Sequence, residues 1–206
     1  MGMKHGGDTV FLGSKLDTAK DINRRKGLAS AAWKKYQLLL TSKNLPLLTR
    51  VRYLETFVGS IFLHQCGIWT LTKKLESSVD VFQRLFLRRV VGIRYPKNIT
   101  NQELYKITKQ IPWSETCKKR RLTLFGHTNR LPYGAPSREA LLECLKPIKR
   151  PVGGQKLTLI KLIRNDFNTV GETRESSLQI SSNKKDYQKL VRSVMSSTSE
   201  TQQRGQ

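Results

Sequence analysis

The stretch Leu75–Ile93 reads LESSVDVFQRLFLRRVVGI, and its periodicity decides the fold. Leu75, Val79, Phe82, Phe86, Val90 and Ile93 step by 4, 3, 4, 4 and 3. A helix turns by about 100° per residue, so these six side chains fall on one face. Gly92 and Pro96 close the segment, as glycine and proline do at helix ends. No comparable run alternates apolar and polar residues, which is what a half-buried sheet would require.

The same spacing recurs on both sides. Upstream, Ile22, Ala29, Ala32, Trp33, Tyr36 and Leu40 mark a helix that Asp17 or Thr18 caps and that Thr41-Ser42-Lys43-Asn44 breaks. A second helix starts near Pro46, a residue favoured in a first turn. Its stripe is Leu47, Val51, Leu54, Val58, Ile61, Ile68 and Trp69. Ahead of both, Val10-Phe11-Leu12 before Gly13 reads as one short strand. Downstream, Thr100-Asn101-Gln102-Glu103 is a capping box and opens a short helix with Leu104 and Ile107, which Pro112 ends. Ser114 is expected to cap a helix with Cys117, Arg121, Leu124, Phe125 and Thr128 on one face. Ser137 is expected to cap another through Cys144 and Leu145. Residues 146–154 hold prolines and glycines and read as a linker. Leu157, Ile160, Ile163 and Phe167 suggest one last helix.

From Gly171 on, Ser, Thr, Gln and Lys dominate, so the tail is expected to be mostly disordered. Within it Tyr187, Leu190, Val191 and Met195 can form a weak helical turn or two. The expected fold is therefore all-α: a multi-helix bundle of about six or seven helices, with a short N-terminal strand and a disordered C-terminal tail. The expected divisions are a flexible 1–9, a helical region 10–96, a basic helical region 97–167 and the tail 168–206.

Charge narrows the function. The 206 residues carry 38 Lys+Arg against 15 Asp+Glu, a net charge of +23. Such an excess argues against an isolated enzyme for small neutral substrates and for a polyanionic partner. Residues 84–130 hold 12 Lys+Arg and only 2 acids, interleaved with apolar stripes, so a folded surface carries that charge. The candidate phosphate contacts are Arg88, Arg89, Arg94, Lys97, Lys118, Lys119, Arg120, Arg121 and Arg130. Lys118 and Arg121 are i, i+3 neighbours, and Arg88-Arg89 would join them if the helices pack antiparallel. Such contacts position a strand without reading its sequence. The plainer reading is a solvated face or a localisation signal. Among the aromatics, Trp33 and Trp69 sit on apolar stripes and read as core. Trp113 can act as a hydrophobic staple, and Tyr95, between Arg94 and Lys97, is the better candidate for base stacking.

Other chemistries lack their parts. The sequence has neither a phosphate-binding P-loop nor a dinucleotide fingerprint, no His-Glu-x-x-His and no Asp-Asp pair. The acids are scattered singly, whereas two-metal catalysis needs clustered carboxylates. Cys66, Cys117 and Cys144 form no Cys-x-x-Cys pair, so neither a disulfide framework nor a zinc knuckle is signalled, and no cofactor is expected. Cys117 and Cys144 read as small core residues. His64 and Cys66 point to different helix faces and make a poor chelating pair. His127 reads as a cap or phosphate contact. The start of the chain lacks a signal-peptide pattern, and the uncharged stretch between Glu55 and Lys73 falls short of a membrane span. An intracellular, nuclear location is expected.

Several strings together resemble the C-terminal part of the reverse transcriptases of LINE-type (non-LTR) retrotransposons. They are Phe11-Leu12-Gly13-Ser14, Trp69-Thr70-Leu71-Thr72, Val81-Phe82-Gln83-Arg84 with Leu87-Arg88-Arg89 and Gly92-Ile93, Ile99 to Tyr105, and Arg120-Arg121-Leu122 with Phe125-Gly126-His127. The likeness covers about residues 10 to 167 and rests on the ordered set. It implies that Phe11-Leu12-Gly13 corresponds to the end of the palm and that 10–96 is thumb-like, cradling a template–primer duplex. It also implies that the palm aspartates of this RNA-directed DNA polymerase family lie upstream of anything in the chain. The expectation is thus a non-catalytic fragment that binds nucleic-acid backbone through basic helices. The alternative is an independent basic helical adaptor for an acidic protein.

Overall fold

In a computed structural model the described residues are 10–11, 13–15, 17–93, 96, 98–145, 157–171 and 174–204. Among them the chain is all-α apart from a short N-terminal hairpin. It divides into two compact units: residues 1–65 with 71–116, and residues 66–70 with 117–206.

The first unit begins with strands β1 (Val10–Phe11) and β2 (Ser14–Lys15), paired antiparallel with Phe11 opposite Ser14. The single expected strand is thus a hairpin, because Gly13 adopts φ +80° and turns the chain back. Helix α1 (Thr18–Thr41) follows, capped by the Asp17 carboxylate on the Lys20 N–H. Its first turns hold the hairpin. Asp21 is fully buried and accepts the Lys15 N–H at 2.9 Å. Arg25, 4% exposed, donates to the Gly13 carbonyl at 2.6 Å, the Ser14 hydroxyl at 2.8 Å and the Ile61 carbonyl at 3.0 Å. One buried guanidinium therefore ties three chain segments together. It is tolerable there because Asp21 neutralises it and carbonyls take its remaining donors.

Helix α2 (Leu47–Leu54) runs on through a π-helical turn, Glu55–Gly59, into α3 (Ser60–Phe62). Gln65 then takes φ +56° and the chain re-forms as a 3-10 turn, Cys66–Ile68. The apolar stripe read through to Ile68 breaks at that point, and Ile68 is 47% exposed.

The deciding helix is α4 (Lys73–Val91), capped by Thr72 on the Leu75 N–H and closed by Gly92 at φ +87°, where a side chain would be strained. Its Val79, Phe86 and Val90 are buried as the spacing requires. With Trp33, Phe62 and Phe82 they form an aromatic core, Phe86 lying 5.0 Å from Trp33 and 4.8 Å edge-on to Phe82. Helix α5 (Asn101–Thr108) packs on α2 and α4 and opens on the expected capping box.

Helix α6 (Trp113–Asn129) starts in the first unit, and from Cys117 on it belongs to the second. Ser114 does not cap it. The first-turn amides are met from α4 instead: Gln83 accepts the Trp113 N–H, and Asp80 accepts both the N–H and the hydroxyl of Ser114. Trp113 is core rather than a staple. Its ring stacks on Phe62 at 4.9 Å and its Nε1–H donates to the Glu55 carboxylate in the π turn. The first compact unit runs on through residue 116.

The second unit holds α7 (Pro136–Leu145), α8 (Leu159–Asn168), α9 (Arg174–Ser182) and α10 (Lys184–Arg204). Leu122, Phe125, Ile163, Phe167, Tyr187, Leu190, Val191 and Val194 make its core. Gly126 is required there, because a methyl group at that position would overlap the Tyr187 ring. The Tyr187 hydroxyl donates to the Leu122 carbonyl at 2.6 Å, and burial pushes its pKa well above the usual phenol value. Within the tail the residues expected to form a helical turn or two, Tyr187, Leu190, Val191 and Met195, lie in α10. Tyr187, Leu190, Val191 and Val194 repeat at helical spacing, and that stripe seals the core. The linker read over 146–154 lies outside the described residues. Cys144 is exposed, not a core residue.

Candidate nucleic-acid interface

The nine cations singled out in the sequence have different fates. Arg94 and Lys97 lie outside the described residues, as does Tyr95. Arg88 donates to the Asn101 side chain at 2.9 Å and to the Ile99 carbonyl at 3.4 Å, where it steadies the start of α5. Arg89, one residue on, is exposed, with its guanidinium 5.9 Å from the Trp33 and Phe86 ring centres.

In the second unit Arg121 is 2% exposed and cannot meet a phosphate. It follows Cys117 by four residues, so it shares the buried face. Its Nε and Nη2 donate to Asp166 at 3.0 and 2.7 Å. Lys118 lies 3.7 Å from the other oxygen of the same carboxylate, with its side chain 12% exposed. Arg130 donates to the Ser181 carbonyl at 3.0 Å and lies over the Tyr187 ring. Lys119 and Arg120 are exposed. The basic run thus splits as helical geometry demands: Lys118 and Arg121, three residues apart, face inward to Asp166, and Lys119 and Arg120 between them face solvent.

The first unit contains a cleft of about 840 Å³ between the ends of α1 and α4 and the start of α2. Lys43, Arg50 and Arg89 line it, together with Trp33, Gln37 and Thr41. Arg50 donates to the Val90 carbonyl at 2.5 Å, at the C-terminal end of α4. Among the described residues no carboxylate pairs with these three cations, and none lines the cleft. Sequence reading did not single out Lys43 and Arg50, because they come from separate segments and belong to no basic run. Only the packing of α2 against α4 brings them beside Arg89.

Cys66 and Cys117, both buried, are hydrogen-bonded neighbours in the second unit. The bond from Cys117 and the nearby Arg120 lower the Cys66 pKa, and the same bond, with burial, raises that of Cys117. A structural zinc site takes four such ligands. Among the described residues no group of three or more His, Cys, Asp or Glu could hold a metal ion. His64 approaches Arg25 at 2.9 Å through its Nδ1, and so belongs to the hairpin tether. No described helix is long and apolar enough to cross a membrane.

Fold and charge together define a helical, strongly basic chain with an unneutralised cationic cleft. Comparison with known protein families, curated proteins and solved structures returned no match.

Proposed function

We propose that the chain is a non-catalytic C-terminal part of a non-LTR retrotransposon reverse transcriptase that grips nucleic-acid backbones and acts in the nucleus. The observation that carries the reading is how evenly the charge is shared between the two units. The first unit has 20 Lys+Arg against 8 Asp+Glu and the second 18 against 7, so they bear +12 and +11. Neither unit is a neutral scaffold with a charged tail. The ordered motifs shared with the thumb region of those polymerases support the same reading, and the scattered acids supply no two-metal centre.

Purified chain should bind RNA–DNA heteroduplex and single strands with little sequence preference. Affinity should fall by about 0.7 to 0.9 decade per decade of salt for each phosphate contacted. Binding that is absent, or indifferent to salt, rejects the proposal. The chain alone should incorporate no nucleotides. The adaptor reading draws on Leu38, 88% exposed, and Leu48, 47% exposed, which offer apolar surface on the first unit. A pull-down that survives nuclease treatment would favour it.

A further inference from the structure

We propose that the cleft between α1, α2 and α4 is a docking site for the sugar-phosphate backbone of a single nucleic-acid strand. This inference rests on the nucleic-acid reading above and adds its location. Three positive side chains, Lys43, Arg50 and Arg89, share one concavity that no acid lines among the described residues. Like charges confined together repel, more strongly near low-dielectric walls than in open water. An arrangement of that kind is relieved by an anion.

Helix ends supply a partial account only. Cations near a helix C-terminus complement its dipole, and Arg50 does so on the Val90 carbonyl. Arg89, in the last turn of α4, lies near the same helix end, with its guanidinium over the Trp33 ring at the surface, and Lys43, two residues past the end of α1, is exposed.

The cleft's shape selects the ligand. At about 840 Å³ it matches sites that take a drug-sized molecule, which is room for a few linked nucleotides of one strand. Trp33, the one aromatic among the described lining residues, is 4% exposed beneath Arg89, so its face is closed to a base. Contact falls on phosphates, with Gln37 and the Thr41 hydroxyl available to the sugar. Sequence indifference follows.

The test uses the full chain and a short fluorescein-labelled oligothymidylate, read by anisotropy between about 0.05 and 0.3 M salt. Each phosphate contact on a single strand contributes about 0.7 to the salt slope, or roughly fivefold in affinity at 0.1 M. The double variant Lys43→Gln/Arg89→Gln should lower the slope by about 1.4 and the affinity by roughly 25-fold. Arg89→Lys keeps the charge and should keep the slope. Lys184→Gln/Lys185→Gln, which removes as much charge from an exposed stretch of the second unit, should change neither. If the parent chain binds steeply and the Lys43/Arg89 variant binds identically, the cleft is rejected and the nucleic-acid reading stands. An equal loss in the Lys184/Lys185 control also rejects the cleft. A parent chain that ignores the oligonucleotide overturns both. Binding of polyglutamate in its place, sensitive to the cleft variant, overturns the strand in favour of an acidic protein.

Discussion

At the scale of single residues, Arg121 shows how a cation in a basic run becomes part of a core. It is buried on Asp166, with Nη1 enclosed and without a partner among the described residues. Removing one member of such a pair leaves the other's charge buried, at a cost of about 3 kcal/mol or more, whereas apolar replacement of both is often neutral. Arg121→Met should therefore lower the urea midpoint, with Lys118 still facing the Asp166 carboxylate, and Arg121→Met/Asp166→Leu should recover part of the loss as the Lys118 ammonium turns to solvent. Nucleic-acid affinity should stay unchanged in the folded double variant. If the double variant is as unstable as the single one, the pair is not what holds α6 to α8. The inward position of Arg121 was legible, since it lies four residues from Cys117 on an apolar stripe. Its partner was not, because Asp166 is 45 positions away and no local rule links them. Gly126 was equally silent in the sequence: its need for a bare Cα arises only when Tyr187 packs on it.

Among the elements, what could be read depended on how far apart the partners lie. The capping box of α5 is a contact between Thr100 and Glu103, three residues apart, and it formed as read. The helical stripe of α4 is equally local. The start of α6 misled, because its caps come from Asp80 and Gln83, 34 and 30 residues upstream. The capping carboxylates of α5 and α6, Glu103 and Asp80, respond to pH in opposite senses. Hydrogen bonds from Thr100 hold the exposed Glu103 below the usual range, so its contribution is present above its unfolded pKa and is lost as pH falls through the lowered native value. Burial raises Asp80 despite the bonds from Ser114. The native state then binds the Asp80 proton more tightly than the unfolded chain does. Its contribution grows as pH falls from that raised value towards the ordinary 3.8. A protonated Asp80 still accepts the Ser114 N–H with one oxygen and can donate to the hydroxyl with the other. Asp80→Asn, which mimics that form, should be more stable than the parent at neutral pH and lose the advantage on acidification. Asp80→Ala should cost about 1–2 kcal/mol at neutral pH by leaving first-turn donors unmet, and more on acidification, where the parent gains and the Ala variant does not. Thermal melts of the three proteins from neutral to acid pH decide the matter. An advantage of the Asn variant that grows on acidification would refute the burial argument.

For the whole molecule, charge sets stability and binding against each other. With +12 and +11 on the two units, the folded state of each is opposed by its own repulsion. Exposed ion pairs give little relief: Lys189 with Asp186, 77% and 51% exposed, is worth a fraction of what burial provides. Added salt screens like charges over a Debye length of about 10 Å at 0.1 M, and so should raise the melting midpoint of the free chain. A bound strand stabilises by a different route, through mass action, by about 2.7 kcal/mol at a hundredfold excess over Kd. That gain must shrink as salt releases the strand. Melts in rising salt with and without oligonucleotide should therefore converge, the free chain gaining stability while the complex loses its advantage. A free chain that melts lower in higher salt would mean that attractive pairs outweigh the repulsion. The excess charge would then be a neutralised surface, not one that needs a polyanion. Convergence is the stricter outcome, since general screening moves both curves the same way and only a phosphate-bound strand closes the gap between them.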